Sequence, residues 1–327
     1  VTLLLSRNDV LQLLTMPDVI ETVTQAHIAM AKGEVVMPVR LTLRYDDRPS
    51  ELEAMPAAIT SLPALGMKVI TFVGTNSERG IPAIHALVAL LDADTGHPLA
   101  IMDGGSITAF RTGAASAMAT RVLAKTDTRT LAIAGAGVQG SSHLEAMLAV
   151  RPFEHVFVVD RDASRLATFV AEHQARFPNV SIQAAGSVRE AVADADVIVL
   201  VTTSAEPILE WGWIKPGAHI NGVGSHSPDT HEMTSEVITN VKLIVDSRDA
   251  NLKECGDILM AIEEGVFSAE QVETEIGQVL AGQKPGRTSD DEVTLYKSGG
   301  LALQDVATAH LVYSRACQQG IGTTFEF

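Results

Sequence analysis

Three cations stand inside apolar runs, where charge is costly. Arg40 follows Met37-Pro38-Val39, Lys68 sits within Leu65-Gly-Met-Lys-Val-Ile70, and Arg111 lies in Ile107-Thr-Ala-Phe-Arg-Thr-Gly113. Charged side chains are rarely buried without a partner. Taken singly, each is accounted for by a solvated position or a structural salt bridge. Taken together, they point to convergence on an anionic ligand such as a carboxylate. Two guanidiniums can grip a carboxylate bidentately, and a lysine beside it can donate a proton or polarise a C=N or C=O group.

A second constellation is Thr130-Leu-Ala-Ile-Ala-Gly135-Ala-Gly137-Val-Gln-Gly140, an apolar run entering a turn with the spacing G-x-G-x-x-G. Gly135 permits the tight turn, Gly137 lets backbone approach a pyrophosphate, and Gly140 lets the following helix pack close to the strand. The helix N-terminus then offers free N–H groups and partial positive charge to phosphates. Glycines at this spacing also serve ordinary turns. Here the second apolar run, Val156-Phe-Val-Val-Asp160, ends in a carboxylate twenty positions past Gly140, where it would accept hydrogen bonds from an adenosine ribose. The fingerprint therefore predicts a dinucleotide site. Asp160 would repel a 2′-phosphate and favours NAD(H). Arg161 beside it would accept that phosphate if Asp160 turned away, which makes NADP(H) the alternative.

These residues need two kinds of scaffold. From Met16 to Ala31, Val19, Ile20, Val23 and Met30 recur at helical spacing, with Gly33 as a stop. Between Pro38 and Asp103 come strand-like runs at Val39–Tyr45, Leu52–Ile59, Met67–Phe72, His85–Leu91 and Leu99–Met102. They are punctuated by turn residues at Asp46-Asp47, 74–80 and 94–96. Closely spaced strands without intervening helices suggest an antiparallel sheet. The Ala-rich stretch from Ser106 to Lys125 predicts a helix leading into the fingerprint strand. Beyond Asp160 the pattern alternates: helices near Ala163–Arg176 and Ser187–Ala193, and strands at Val180–Gln183, Val197–Val201, Ala218–Val223 and Leu243–Val245. Such alternation implies a parallel, doubly wound sheet with right-handed crossovers, a Rossmann-type fold. A last helix runs from Gly299 to Gln319.

Composition narrows the partners. The 327 residues suffice for about two domains, and 46% hydrophobic with 20% charged residues suits a soluble globular protein. A net charge of −16 with no basic face argues against nucleic acid. The two cysteines, Cys255 and Cys317, are far apart and suggest neither a disulfide framework nor a zinc site, so a reducing, cytoplasmic setting fits. Val1-Thr-Leu-Leu-Leu is too short for a signal segment. No run reaches the roughly 18 apolar residues of a membrane span. His226 and His231 do not form H-E-x-x-H, and no metal is expected.

The succession Met55-Pro56, Gly66-Met-Lys68, Asp94-Thr-Gly96 through Asp103-Gly, Ile107-Thr-Ala-Phe-Arg-Thr112, Gly135-Ala-Gly-Val-Gln139 and Lys297-Ser-Gly-Gly-Leu-Ala-Leu-Gln-Asp305 resembles the ornithine cyclodeaminase/mu-crystallin family over nearly the whole chain. That family includes cyclodeaminases, alanine dehydrogenases and imino-acid reductases. The resemblance implies a homodimer whose N-terminal sheets associate, with the last helix returning to that domain. It makes Arg40 and Arg111 substrate-carboxylate ligands, Lys68 the active-site lysine and Glu53 a substrate-side glutamate. It places Thr112, Gly137, Val138, Gln139 and Asp160 at cofactor contacts, and it makes Gly222–Glu232 the loop that closes over nicotinamide and substrate.

In that loop the cyclodeaminases and the archaeal alanine dehydrogenase carry an aspartate where this chain has His226. An aspartate is a permanent anion at neutral pH, whereas histidine titrates near 6.5 when unperturbed. His226 can serve as an acid in imine reduction but would hold a cationic ornithine side chain poorly. The expectation is an α/β protein with two domains. Residues 1–113 and 301–327 form an α+β substrate-binding and dimerisation domain, and 114–300 form the Rossmann domain. The expected activity is NAD(P)H-dependent reduction of a small 2-imino acid, or the reverse amino-acid dehydrogenation. An ornithine cyclodeaminase recycling its NAD and a mu-crystallin-like ligand-binding protein are the rivals.

Overall fold

The elements follow the two textures of the sequence. A computed structural model describes residues 1–44 and 50–326, apart from the side chains of 74, 77 and 78. The predicted Asp46-Asp47 turn and the end of its strand at Tyr45 lie outside the described residues. In chain order come β1 (Thr2–Leu5), α1 (Arg7–Leu13), α2 (Met16–Ala31), β2 (Val35–Val36), β3 (Leu41–Arg44), β4 (Glu51–Ile59), β5 (Ala64–Phe72), β6 (Ile84–Leu91), β7 (Pro98–Asp103) and α3 (Gly104–Leu123). The alternating part follows with β8 (Thr130–Ala134), α4 (Val138–Val150), β9 (His155–Val159), α5 (Ala163–Arg176), β10 (Ser181–Ala184), α6 (Val188–Val192), β11 (Val197–Leu200) and β12 (His219–Gly222). Next are α7 (Ser235–Asn240), β13 (Lys242–Val245), α8 (Arg248–Glu254), α9 (Gly256–Glu263), α10 (Ile276–Leu280) and β14 (Thr294–Lys297), before α11 (Ala302–Gln319) and β15 (Thr323–Phe325). Two units result, Val1–Arg111 with Leu301–Phe327, and Thr112–Gly300.

In the first unit the strands form one sheet in the order β15-β1-β7-β6-β5-β4-β2, with β3 also on β4. The run from β3 to β7 is antiparallel, as the short turns require. β1 departs from that expectation by pairing parallel to β7. The whole hairpin series separates them, so no tight turn dictates their relative direction. Pro56 lacks an N–H, yet it sits in the middle of β4. It falls in the gap between the pairing of Ala54 with Leu41 on β3 and that of Ala58 with Val36 on β2.

One face of this sheet is covered by α11, which packs on β4 and β5 and also on α2. Leu303, Val306 and Val312 of α11 are fully buried, each worth about 1.5–3 kcal/mol of transfer free energy. The other face stays open in the single chain. Leu41 and Leu43 stand opposite Ala54 and Leu52 and are 59% and 53% exposed. Met67 and Leu87, on the same face, are 37% and 46% exposed.

The second unit is the parallel sheet expected from alternation, in the order β10-β9-β8-β11-β12-β14-β13. β14 is a strand that the sequence pattern did not single out. It slots between β12 and β13 and all four of its residues are buried. A four-residue run ending in a lysine carries too little apolar signal to be read as a core strand.

Candidate active site

In the first unit, strand pleating and helix α11 bring charge together. Lys68 on β5 pairs with Met55 on β4, so Lys68 and Glu53 point to the face that α11 covers. There the first turn of α11 presents Gln304 and Asp305, both with no exposed surface. Negative charge is favourable near a helix N-terminus. Lys68 Nζ lies 3.0 Å from Asp305 Oδ1 and 2.9 Å from Oδ2. Arg111 Nε donates to Asp305 Oδ1 at 3.1 Å, and its Nη1 donates to Gln304 Oε1 at 2.7 Å. Arg40 Nη1 donates to Glu53 Oε2 at 3.1 Å, with the arginine side chain 7% exposed.

The sequence-predicted residues Arg40, Glu53, Lys68 and Arg111 therefore lie in one unit, each held in a salt bridge. Among the described residues Arg40 pairs with Glu53, and Lys68 and Arg111 share Asp305. Burial, reinforced by Arg111 and Arg40 and opposed by Asp305, pulls the Lys68 ammonium down to about 8. That value suits a group that must exchange a proton near neutral pH.

Asp305, Gln304 and His27 were not foreseen as site residues. His27 on α2 is fully buried, and burial holds it neutral by lowering it to about 3. Its Nε2 lies 3.1 Å from the Gln304 amide nitrogen. An NH2 group only donates, so His27 accepts there and the Gln304 oxygen is turned to Arg111. A signal existed: Gln304-Asp305 interrupts the apolar series Leu301, Leu303, Val306, and a buried charge requires a partner.

In the second unit the glycine loop has the geometry a dinucleotide needs. Gly135 leaves β8 with φ +110°, a conformation that side chains avoid, and its N–H donates to Val159 O at 2.8 Å. A Cβ at Gly140 would collide with Gly135 O, whereas space around Gly137 is open. Gly137 caps the 13-residue α4, and Val138, the first residue of that helix, is 73% exposed. Gln139 Oε1 is buried without a hydrogen-bond partner among the described residues, an acceptor that a bound ligand would satisfy. Thr112 is buried on α3.

Asp160 Oδ2 accepts from Ala136 N at 2.8 Å, and Oδ1 accepts from Asp162 N at 2.8 Å. The carboxylate is thus pinned to the glycine loop and not turned away. Arg161 is exposed beside it. Arg165, on the first turn of α5, comes within 3.7 Å of Asp160 Oδ2 and was not anticipated.

His226 is exposed, and its Nδ1 lies 2.8 Å from Gly224 O. A carbonyl only accepts, so Nδ1 carries the proton. Nε2 is then an acceptor in the neutral ring and a donor only in the imidazolium. Among the described residues no group of three or more His, Cys, Asp or Glu side chains is placed to hold a metal ion, and no helix is long and apolar enough to cross a membrane.

A glycine loop of this geometry together with a buried Arg–Lys–Arg cluster is matched by one family profile, Ornithine cyclodeaminase/mu-crystallin family, over residues 1–320. The chain belongs to this family. Among its relatives, the Delta(1)-pyrroline-2-carboxylate reductase of Bacillus cereus is 36% identical over 326 residues, covering 99% of this chain and all of the relative. The structure of the Thermococcus litoralis Delta(1)-pyrroline-2-carboxylate reductase in complex with NADH and L-proline superposes with a TM-score of 0.97. It has 38% identity and covers 99% of this chain and 100% of the other. An archaeal alanine dehydrogenase dimer with bound NAD gives 0.94 with 33% identity, covering 100% and 99%. The ornithine cyclodeaminase/mu-crystallin scaffold thus accounts for both units.

Proposed function

We infer that the protein reduces a small 2-imino acid to an L-amino acid with NAD(H), and runs the reverse dehydrogenation when product and NAD+ are in excess. The observation that carries this reading is the buried cluster in which Lys68 and Arg111 share Asp305 beside the Arg40–Glu53 pair, with Lys68 brought down to about 8. It is an anion site with a proton donor built in. Arg40 and Arg111 hold the substrate carboxylate, Arg111 through the guanidinium nitrogens not committed to Asp305 and Gln304. Gly135, Gly137 and Gly140 with Val138, Gln139, Thr112 and Asp160 would hold the dinucleotide, whose nicotinamide would supply a hydride for C2 of the substrate. Lys68 delivers the accompanying proton toward the imine nitrogen, so that C=N gains one hydride and one proton and becomes CH–NH. His226, as the imidazolium, is the second acid. Asp160, pinned at the end of β9, keeps a negative charge where a 2′-phosphate would lie, which supports NAD(H) over NADP(H) despite Arg161 and Arg165 nearby.

The two similar reductases make the five-membered cyclic imine Delta(1)-pyrroline-2-carboxylate the first substrate to try, with L-proline as product. The test is NADH and NADPH oxidation followed spectrophotometrically with that imine, with open-chain imines formed from pyruvate, glyoxylate or oxaloacetate plus amines, and with ornithine as a control. Expected are NADH consumption with a cyclic or open-chain 2-imino acid and no conversion of ornithine. Proline and ammonia released from ornithine without net NADH consumption would overturn the reading in favour of a cyclodeaminase. Tight binding of an apolar ligand with no turnover would overturn it in favour of a binding protein.

The open sheet face supports a homodimer. Leu41, Leu43, Met67 and Leu87 form an exposed apolar patch of the kind that marks an interaction site, and the similar archaeal alanine dehydrogenase is a dimer. A second copy of this chain covers the patch. Light scattering on the L87D variant should find monomers where the parent chain is dimeric. The two scattered cysteines and the demand for NADH fit a cytoplasmic setting.

A further inference from the structure

The second unit holds a set of buried charges that the proposed reaction does not use. Glu232, Asp257 and Lys297 have no exposed surface. Glu232 Oε1 accepts from Thr202 N at 2.7 Å and from Thr202 Oγ1 at 2.8 Å, and Oε2 accepts from Gly224 N at 2.7 Å. Its own backbone N–H, and that of Met233, donate to Asp257 Oδ1 at 2.7 and 3.1 Å. Lys297 Nζ sits 3.6 Å from Asp257 Oδ2 and donates to Gly222 O at 3.1 Å. Ser225 closes the knot, donating to Thr230 O at 2.6 Å and accepting from Asp257 N at 3.1 Å.

These groups come from the exits of β11, β12 and β14 and from the start of α9. All of the strand ends are carboxyl ends of one parallel sheet, and in open α/β sheets ligands bind outside those ends. The glycine loop leaves the neighbouring strand β8 at the same edge. Packing alone would be better served by apolar side chains, since buried ions repay their desolvation poorly. The space at Gly224 is closed as well, because a Cβ there would strike Thr202 O and the Glu232 carboxylate.

We propose that Glu232 is a positioning residue. Its carboxylate ties the loop after β11 to the loop after β12 and so fixes segment 223–231, which carries His226, in the form that receives the nicotinamide half of the dinucleotide. This rests on the assignment of the dinucleotide site above.

The charged and titratable groups around Glu232 are Lys297 on β14, Asp257 on α9, and Cys255 and Asp246 beside Lys297. Burial, together with Asp257 and against Lys297, raises Glu232 to about 7. Protonation removes the charge assistance from all three bonds and adds an O–H that needs an acceptor of its own, so the tie weakens as pH falls through that range.

The experiment compares the full chain with E232Q and with the milder T202V, which deletes one donor. NADH dissociation constants are measured by fluorescence from pH 6 to 9, and KM for the imino acid and kcat are measured alongside. In E232Q the amide NH2 must face a donor N–H of either Thr202 or Gly224, so at least one of these bonds is lost. The expected result is NADH binding at least tenfold weaker at pH 8, an imino-acid KM within about threefold, and loss of the decline in NADH affinity that the parent shows below pH 7. T202V should weaken NADH binding about threefold with the pH step retained. Should E232Q fail to fold, T202V decides. NADH affinity and its pH dependence unchanged in a folded variant would overturn the proposal. So would equal weakening of NADH and imino acid, the mark of a merely structural role. If the parent binds NADH but reduces no imine, the assigned reaction fails while the Glu232 test still stands.

Discussion

Asp305→Asn is the sharpest perturbation of the cationic cluster, because one carboxylate serves two buried cations at 2.9–3.1 Å. The two respond differently to its loss. Lys68 already lies at about 8, so at pH 7.5 it can shed its proton for under about 1 kcal/mol, at 1.36 kcal/mol per pH unit. Arg111 has no such exit and loses one charge-assisted hydrogen bond, about 1.5–3 kcal/mol. The summed destabilisation is about 2–4 kcal/mol, at the lower end if the Asn oxygen still accepts from Arg111 while its NH2 donates to a neutral Lys68.

Catalysis should suffer more than folding. With Asp305 gone, the attraction that opposes burial and the arginines is removed, and Lys68 should give up its proton at a lower pH than in the parent. In the parent, imine reduction should fall as pH rises through about 8, where the donor is lost, and amino-acid oxidation should rise through the same value. In D305N both limbs should move down by more than one pH unit, and reductive kcat/KM at pH 7.5 should drop at least tenfold. The sign for stability is the same in origin. Lys68 is held less tightly protonated folded than unfolded, so this group penalises folding fully below about 8, and the penalty fades as pH rises to 10.5. The assay is a pH series of initial NADH oxidation rates, with urea unfolding alongside. A reductive limb that stays near 8 in a folded D305N would refute the assignment of Lys68 as the titrating donor.

Arg111→Ala should cost roughly 1.5–3 kcal/mol in kcat/KM for the imino acid, a loss of about ten- to a hundredfold, with NADH affinity little changed. Equal turnover by steady-state kinetics would remove Arg111 from the carboxylate site. Gly140→Ala places a methyl group against Gly135 O, and backbone cannot give way as a flexible side chain can. Titration should find NADH binding weakened at least tenfold. The triple change K68M/R111M/D305L replaces the two buried cations and the carboxylate they share by apolar groups of similar size. It should recover stability relative to D305N while activity stays lost, separating the triad's catalytic role from its packing.

Periodicity and spacing alone determined much of this protein. The helix over Ala163–Arg176 and the strand over Val197–Leu200 are local patterns, and the G-x-G-x-x-G turn with Asp160 twenty residues on is a local motif with one mechanical reading. Arg40, Lys68 and Arg111 announced themselves because charge inside apolar runs demands an explanation. The counter-charge of Lys68 and Arg111 was not legible. Asp305 is 237 residues from Lys68 and 194 from Arg111, and only the seating of α11 on β4 and β5 makes it their shared partner. Nor could spacing tell that β1 lies parallel to β7, that β14 enters the sheet between β12 and β13, or that Glu232, Asp257 and Lys297 meet in one buried knot. Local sequence specifies which face a residue occupies, by the period of its strand or helix. Which charges meet across hundreds of residues is decided by packing, and with it the proton affinity of Lys68.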